Sequence, residues 1–203
     1  MHALIIGGGI PPKKELLEQE MAKAQLHIGA DSGGHVYLGY GHRPDIVIGD
    51  LDSFVYTRHE GVQVLEVADQ DSNDLEKCLD YACKQGARSV TVLGATGKRF
   101  DHTIKNLSVM RRYFSIFEDI RFKDNHGELF LTESPYSPGL PVGTGISFLP
   151  VEGPVTNFSS TGVKYPLTQG TLAMGVQDGT SNEITSKDAV VHFDGILGVY
   201  IIG

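Results

Sequence analysis

Ser89-Val90-Thr91-Val92-Leu93-Gly94-Ala95-Thr96-Gly97-Lys98-Arg99-Phe100-Asp101-His102 runs from an apolar strand through a glycine-rich turn into a helix, whose apolar stripe is Leu107, Met110, Phe114 and Phe117. The same alternation is written upstream. Residues 2–6 form an apolar strand closed by Gly7-Gly8-Gly9, and residues 13–23 form a surface helix with Leu16, Leu17 and Met21 on one stripe. Strands follow at 26–30, 46–48 and 62–67, then a helix face of Leu75, Cys78, Leu79 and Ala82. Asn73 with Glu76 fits a capping box at its start, and Gly86 fits its C-terminal stop. A strand at 120–123 closes this half. Short strands alternating with helices predict an open, mostly parallel, Rossmann-like α/β sheet over residues 1–124.

Beyond that half the pattern changes. Short strands at 129–131, 146–151, 155–158, 171–174, 190–193 and 197–201 are separated by Gly, Pro, Ser and Thr. Turn signals at this density, with no long helical stripe, predict a small all-β unit, a β-sandwich, over residues 125–203. The fold class is therefore α/β followed by all-β.

With 17 Lys and Arg against 25 Asp and Glu, the chain carries a net charge of −8 and has no basic run. That balance excludes a nucleic-acid backbone or an anionic membrane as partner, since both are held by neutralising phosphates. No apolar run approaches the ~20 residues of a membrane span, and the N-terminus lacks the basic stretch and cleavage site of a secretory signal. Cys78 and Cys83, the only cysteines, are spaced for neither a long-loop disulfide nor a zinc knuckle and are expected as buried helix residues. A cytoplasmic protein with reduced thiols follows.

Of 14 aspartates, nine fall between Asp31 and Asp101, most of them just after an expected strand. In an open α/β sheet such positions converge beyond the carboxyl ends of the strands, where ligands bind. Crowded carboxylates repel unless cations sit among them, and Mg²⁺ joins carboxylate oxygens to substrate phosphates. Three successive strand exits carry the pattern: Gly49-Asp50-Leu51-Asp52-Ser53, Asp69-Gln70-Asp71-Ser72-Asn73-Asp74, and Gly94 through His102. The first two have bland alternatives, an Asx-turn for the first and an ordinary helix cap for the second. The third offers backbone N–H groups and a positive helix end to phosphate, with Lys98 and Arg99 adding charge. It is not a Walker A loop, because Lys98 comes too early and Arg99 replaces Ser or Thr. Gly7-Gly8-Gly9 lacks the last glycine of a dinucleotide fingerprint, since Pro12 stands there, and reads as a tight turn or a close approach to phosphate. No nucleophile elbow or His-Glu-x-x-His occurs, and His27 and His192 read as structural.

Taken together, Ala30 to Gly34, Pro44 to Ser53, Asp69 to Lys77, and Gly94 to His102 with Asn106-Leu107 resemble the thiamine pyrophosphokinase family. Ser159 to Leu167 and Thr180-Ser181-Asn182-Glu183 look like that family's thiamine-binding β domain, so the resemblance spans nearly the whole chain. It implies an enzyme that moves the terminal diphosphate of ATP onto the hydroxyl of thiamine and releases AMP. It further implies a homodimer whose sites combine the α/β half of one subunit with the β half of the other. Carried over residue by residue, Asp50, Asp52, Asp71 and Asp74 would hold Mg²⁺. Asp31, Gln70, Gly94, Thr96, Gly97, Arg99 and His102 would contact ATP. Asp101 would stand near the reacting groups as the candidate base, and Thr180, Ser181 and Asn182, in a turn, would contact thiamine. Some relatives cover the thiamine rings with tryptophan; this chain has none, so either another aromatic serves or the stacking is weaker.

Two other readings compete. A phosphatase of the haloacid dehalogenase type would use Asp50 as nucleophile, although its strand is not the first in the chain and Ser53 replaces the usual Thr or Val. A non-catalytic nucleotide or thiamine sensor would not need the whole acid cluster.

Overall fold

The computed structural model describes residues 1–54, 61–69 and 71–203. The chain divides into two compact units, Met1–Asn125 and His126–Gly203. Among the described residues no helix is long and apolar enough to cross a membrane.

Among the described residues, the first unit is a six-stranded sheet with every pairing parallel. Its strands are β1 (His2–Ile6), β2 (Leu26–Ala30), β3 (Ile46–Gly49), β4 (Gln63–Glu66), β5 (Ser89–Leu93) and β6 (Asp119–Lys123), in spatial order β6-β5-β1-β2-β3-β4. The central strands are buried on both faces, which is why β1 and β3 read as continuous apolar runs. Helices α1 (Lys14–Met21), α2 (Gly33–Gly39), α3 (Asp74–Lys84) and α4 (Phe100–Tyr113) connect them. From β1 the chain builds outward through β2, β3 and β4, then returns to lay β5 on the other side of β1. That reversal between β1 and β5 creates the crevice of a doubly wound sheet.

Local signals explain most of these elements. Asn73 Oδ1 accepts the Glu76 N–H at 2.9 Å while Glu76 Oε2 accepts the Asn73 N–H at 3.1 Å, so the capping box forms. Gly86, at φ 84°, ends that helix in the left-handed region. Helix α2 has no sequence signal, because it opens on Gly33-Gly34, and glycine disfavours helix. Packing requires both residues: a Cβ on Gly33 would lie 1.9 Å from the Ile6 carbonyl oxygen, and one on Gly34 would lie 2.7 Å from Val47. Cys78 is buried against the sheet as expected, whereas Cys83 is exposed.

The second unit holds two antiparallel sheets. One runs β11 (Gly179–Glu183), β8 (Gly145–Leu149), β13 (Leu197–Ile202), β7 (Gly127–Thr132); the other runs β10 (Gly170–Leu172), β9 (Val155–Thr161), β12 (Val190–Asp194). Phe130, Ile146, Phe148 and Val199 from the first sheet and Phe158, Leu172, Val191 and Phe193 from the second share one apolar core. This is the expected sandwich. Thr180, Ser181 and Asn182, expected in a turn, instead lie in strand β11. The polar run Gly-Thr-Ser-Asn-Glu pairs with β8 at the sheet edge, with a register shift between Gly179 and Asn182.

Candidate active site

The carboxyl ends of β1, β2, β3 and β5 open onto a cleft of about 610 Å³. Two glycine turns form one wall, packed backbone to backbone. Gly9 N–H donates to the Gly94 carbonyl at 2.8 Å, Ile10 N–H to the Thr96 carbonyl at 2.9 Å, and Lys98 Nζ to the Gly8 carbonyl at 2.7 Å. A Cβ on Gly9 would sit 2.3 Å from Thr96 O, so only glycine lets the turns touch. Gly94 and Gly97 have φ of 65° and 84°, and Lys98 takes 55°.

Carboxylates form the opposite wall. Asp31 follows β2, Asp50 follows β3 and Asp74 opens α3, and one oxygen from each lies within 4.8 Å of the other two. Asp31 and Leu51, the latter lying between Asp50 and Asp52, hold φ of 45° and 62°, an unusual conformation for non-glycine residues. Gly49 gives the acids room, because a Cβ there would stand 2.9 Å from Asp31 Cβ and 3.2 Å from Asp74 Oδ1. Asp31 is only 6% exposed, and among the described residues its Oδ1 has no hydrogen-bond partner. Burial, reinforced by the Asp74 and Asp52 charges, pushes its pKa above the ordinary aspartate value, although hydrogen bonds from Ser32 and Ser53 oppose this. Buried Lys77 donates to Asp74 Oδ1 at 3.2 Å. Three carboxylates against one ammonium leave two negative charges uncompensated. A hard divalent cation fits that donor set and that orphaned oxygen.

The structure sorts the expected site residues as follows. Asp31, Asp50 and Asp74 come together, so Asp31 joins the acids instead of standing apart with the ATP contacts. Asp52 and Asp71 line the same cleft outside that triad; Asp52 accepts from Ser53 Oγ at 2.8 Å. Gly94, Gly97, Arg99 and His102 line it as well, whereas Thr96 lends only its carbonyl to the turn and is not among the lining residues. Gln70 lies outside the described residues. Asp101 is exposed and also not among the lining residues. Arg99 Nη2 and Nε reach its carboxylate at 2.5 and 3.1 Å, and this hydrogen bonding holds its pKa down to about 2. A carboxylate so engaged is a weak base until the arginine leaves it.

In the second unit Asn182 bonds to neighbouring backbone. It is 6% exposed, and its amide is spent on the loop beside it. Nδ2 donates to the Tyr165 carbonyl at 2.9 Å, while Oδ1 accepts the Tyr165 and Glu183 N–H groups at 3.0 and 2.9 Å. Ser181 and Thr180 remain exposed. Ser181 has φ 60° and donates its N–H to Ser147 Oγ at 3.0 Å. The ring of Tyr165, whose backbone Asn182 holds, is also exposed, with Lys164 Nζ 5.7 Å from its centroid.

Sequence reasoning assigned no role to Lys77, Lys105 or Asn106, all of which line the cleft. For Lys77 a signal existed: it follows Asp74 by three residues, one helical turn. His27, read as structural, does pack so, with Nε2 3.2 Å from the Met21 carbonyl.

Comparison with known proteins agrees with this division. A family model described as "Thiamin pyrophosphokinase, catalytic domain" matches residues 17–122, and one described as "Thiamin pyrophosphokinase, vitamin B1 binding domain" matches residues 135–197. Thiamine pyrophosphokinase of Bacillus subtilis is 29% identical over 181 residues, covering 85% of this chain and 85% of the relative. Thiamine pyrophosphokinase 1 of Oryza sativa subsp. japonica is 26% identical over 173 residues and 77% of this chain. The chain spans 65% of the length of that rice protein and 62% of the length of rice thiamine pyrophosphokinase 3. The crystal structure of thiamin pyrophosphokinase from Geobacillus thermodenitrificans superposes with a TM-score of 0.82 at 28% identity, covering 100% of this chain and 98% of that one. The yeast enzyme, at 15% identity and a TM-score of 0.84, shares the fold.

Proposed function

Because the chain belongs to the thiamine pyrophosphokinase family, we propose that it transfers the diphosphate of ATP to the hydroxyl of thiamine, giving thiamine diphosphate and AMP. The observation that carries this reading is the single cleft in which Asp31, Asp50 and Asp74 face two interlocked glycine turns. Acids for a cation and N–H groups for phosphate are what a triphosphate requires on its two sides.

Asp50 and Asp74, with Asp31 behind them, would hold a divalent cation, Mg²⁺ by its preference for carboxylate and phosphate oxygen, and Asp52 and Asp71 would extend the same acidic wall. That cation would neutralise phosphate oxygens and orient the chain of phosphates. Diphosphate transfer depends on positioning and electrostatics more than on covalent chemistry by the protein. The turn from Gly94 to Gly97 would hold phosphate oxygens through N–H groups, with Lys98 locking it to Gly8. Gln70 and His102 would complete the nucleotide contacts. Arg99 would leave Asp101 for the triphosphate. That exchange would free the Asp101 carboxylate, let its pKa climb back toward the ordinary range, and allow it to take the hydroxyl proton of thiamine.

On the β unit, Thr180 and Ser181 would present polar groups to thiamine, while Asn182 builds the wall behind them by fixing Tyr165. With no tryptophan in the chain, the exposed Tyr165 ring would cover the cationic thiamine rings. Family resemblance extends the proposal to a homodimer with composite sites, and the cysteine usage to the cytoplasm. The phosphatase reading is set aside, since β3 is third in sequence and the family match covers both units. Release of AMP from ATP tests the function: it is expected only when thiamine and a divalent cation are both present, and a sensor would release none.

A further inference from the structure

Two side-chain amides and two backbone groups join the two walls of the cleft. Asn106, on α4, donates from Nδ2 to the Ala95 carbonyl of the glycine turn at 2.7 Å. Its Oδ1 accepts from Asn73 Nδ2 at 3.0 Å. Asn73 in turn caps α3, its Oδ1 accepting the Glu76 N–H at 2.9 Å. The residue after Asn73 is Asp74, a member of the acid triad.

The donor and acceptor roles leave one consistent assignment. Ala95 offers only a carbonyl oxygen, so Asn106 must turn its NH₂ toward it and its oxygen toward Asn73. Asn73 must then present NH₂ to Asn106, which it does because its own oxygen is committed to Glu76. Reversing either amide would set oxygen against oxygen and nitrogen against nitrogen. The chain of bonds thus has one direction, Glu76 N–H to Asn73 to Asn106 to the Ala95 carbonyl, and both of its ends are backbone. Both asparagines line the cleft, where a broken link would leave polar groups poorly paired.

We propose that Asn106 is a positioning residue: with Asn73 it sets the distance between the glycine turn at the exit of β5 and the start of α3, so that the N–H groups and Asp74 meet one metal–nucleotide together. The inference rests on the proposed nucleotide reading of the cleft.

The variants Asn73→Ser, Asn106→Ala and the double variant separate positioning from stability. Serine still caps α3 but is too short to reach Asn106. Arg112→Ala provides the comparison. Arg112 ties α4 to α3 through Glu76 at 2.8 Å without touching the turn, so its loss loosens the helix pair alone. Binding of a non-hydrolysable ATP analogue with Mg²⁺ is measured by calorimetry beside a melting curve. Each asparagine variant should weaken the analogue about tenfold, and the double variant no more than either, because both break one relay. Asn73→Ser should keep its melting temperature, and Arg112→Ala should lose melting temperature while keeping affinity. Unchanged affinity in the single variants, losses that multiply in the double variant, or an equal loss in Arg112→Ala would each overturn the inference. A wild-type protein that binds no analogue would overturn both this inference and the nucleotide reading beneath it.

Discussion

Asp31 concentrates the cost of this site in one side chain. Its folded-state pKa is raised by burial and by neighbouring acids, so the folded chain holds that proton more tightly than the unfolded chain does. The contribution of such a group to stability is intact below the ordinary value of 3.8 and is lost as pH rises through the raised value. A cation that displaces the proton removes the penalty. Asp31→Asn should therefore melt above the wild type in metal-free buffer at neutral pH, with the gain shrinking on acidification. The same change should weaken divalent-cation binding about 10–100-fold. Calorimetry in buffers of different ionisation enthalpy should record proton release on metal binding by the wild type in mildly acidic solution and less by the variant. Equal proton release from both would refute the assignment. Asp101 has the opposite sign. Held to about 2 by Arg99, it favours the folded state from the ordinary aspartate range upward, and that contribution disappears only as pH falls through about 2. Near neutral pH, Asp101→Asn should lower the melting temperature only slightly, because the ion pair with Arg99 is exposed, and cut turnover by about 10²–10⁴-fold if the carboxylate is the base. Turnover that matches the wild type would assign it to holding Arg99 alone.

At the scale of elements, Asn182 shows how an edge strand and a loop become one wall. Its three hydrogen bonds to the backbone of Tyr165 and Glu183 make Asn182→Ala a structural change first. It should cost about 1–3 kcal/mol of stability through unpaired backbone groups and raise the Michaelis constant for thiamine, leaving that for ATP unchanged. A melting curve and steady-state constants for both substrates check this; an unchanged melting temperature would contradict the clamp. The same residues show what a linear reading can reach. Alternation of strand and helix, the capping box at Asn73 and the glycine stop at Gly86 are local signals, and the elements they announce are present. Helix α2 escaped because Gly33 and Gly34 answer to Ile6 and Val47, residues that only the folded sheet brings near. Strand β11 escaped because an edge strand of polar residues lacks the apolar alternation by which strands are recognised. Asp31 was found as a site residue but not as a member of the triad, since that depends on β2 lying beside β3. Motif spacing likewise cannot tell that the Asn182 amide turns inward.

At the scale of the whole molecule, under the proposed function an acidic chain would handle an anionic co-substrate by confining the problem to one cleft. The acids cluster on one wall, a cation would bridge them to phosphate, and glycine turns supply uncharged donors on the other. The net charge of −8 would then attract the proposed cationic co-substrate. The two units would meet their shared substrates as a homodimer, and sedimentation equilibrium should give twice the chain mass, with a monomer at working concentration ruling out composite sites. The most direct test of the central claim follows the phosphorus atoms. With ATP, thiamine and Mg²⁺ together, phosphorus NMR should show AMP and thiamine diphosphate appearing in equal amounts, with neither formed when thiamine is omitted or the cation is chelated. Formation of ADP with thiamine monophosphate, or of AMP without thiamine, would contradict the account.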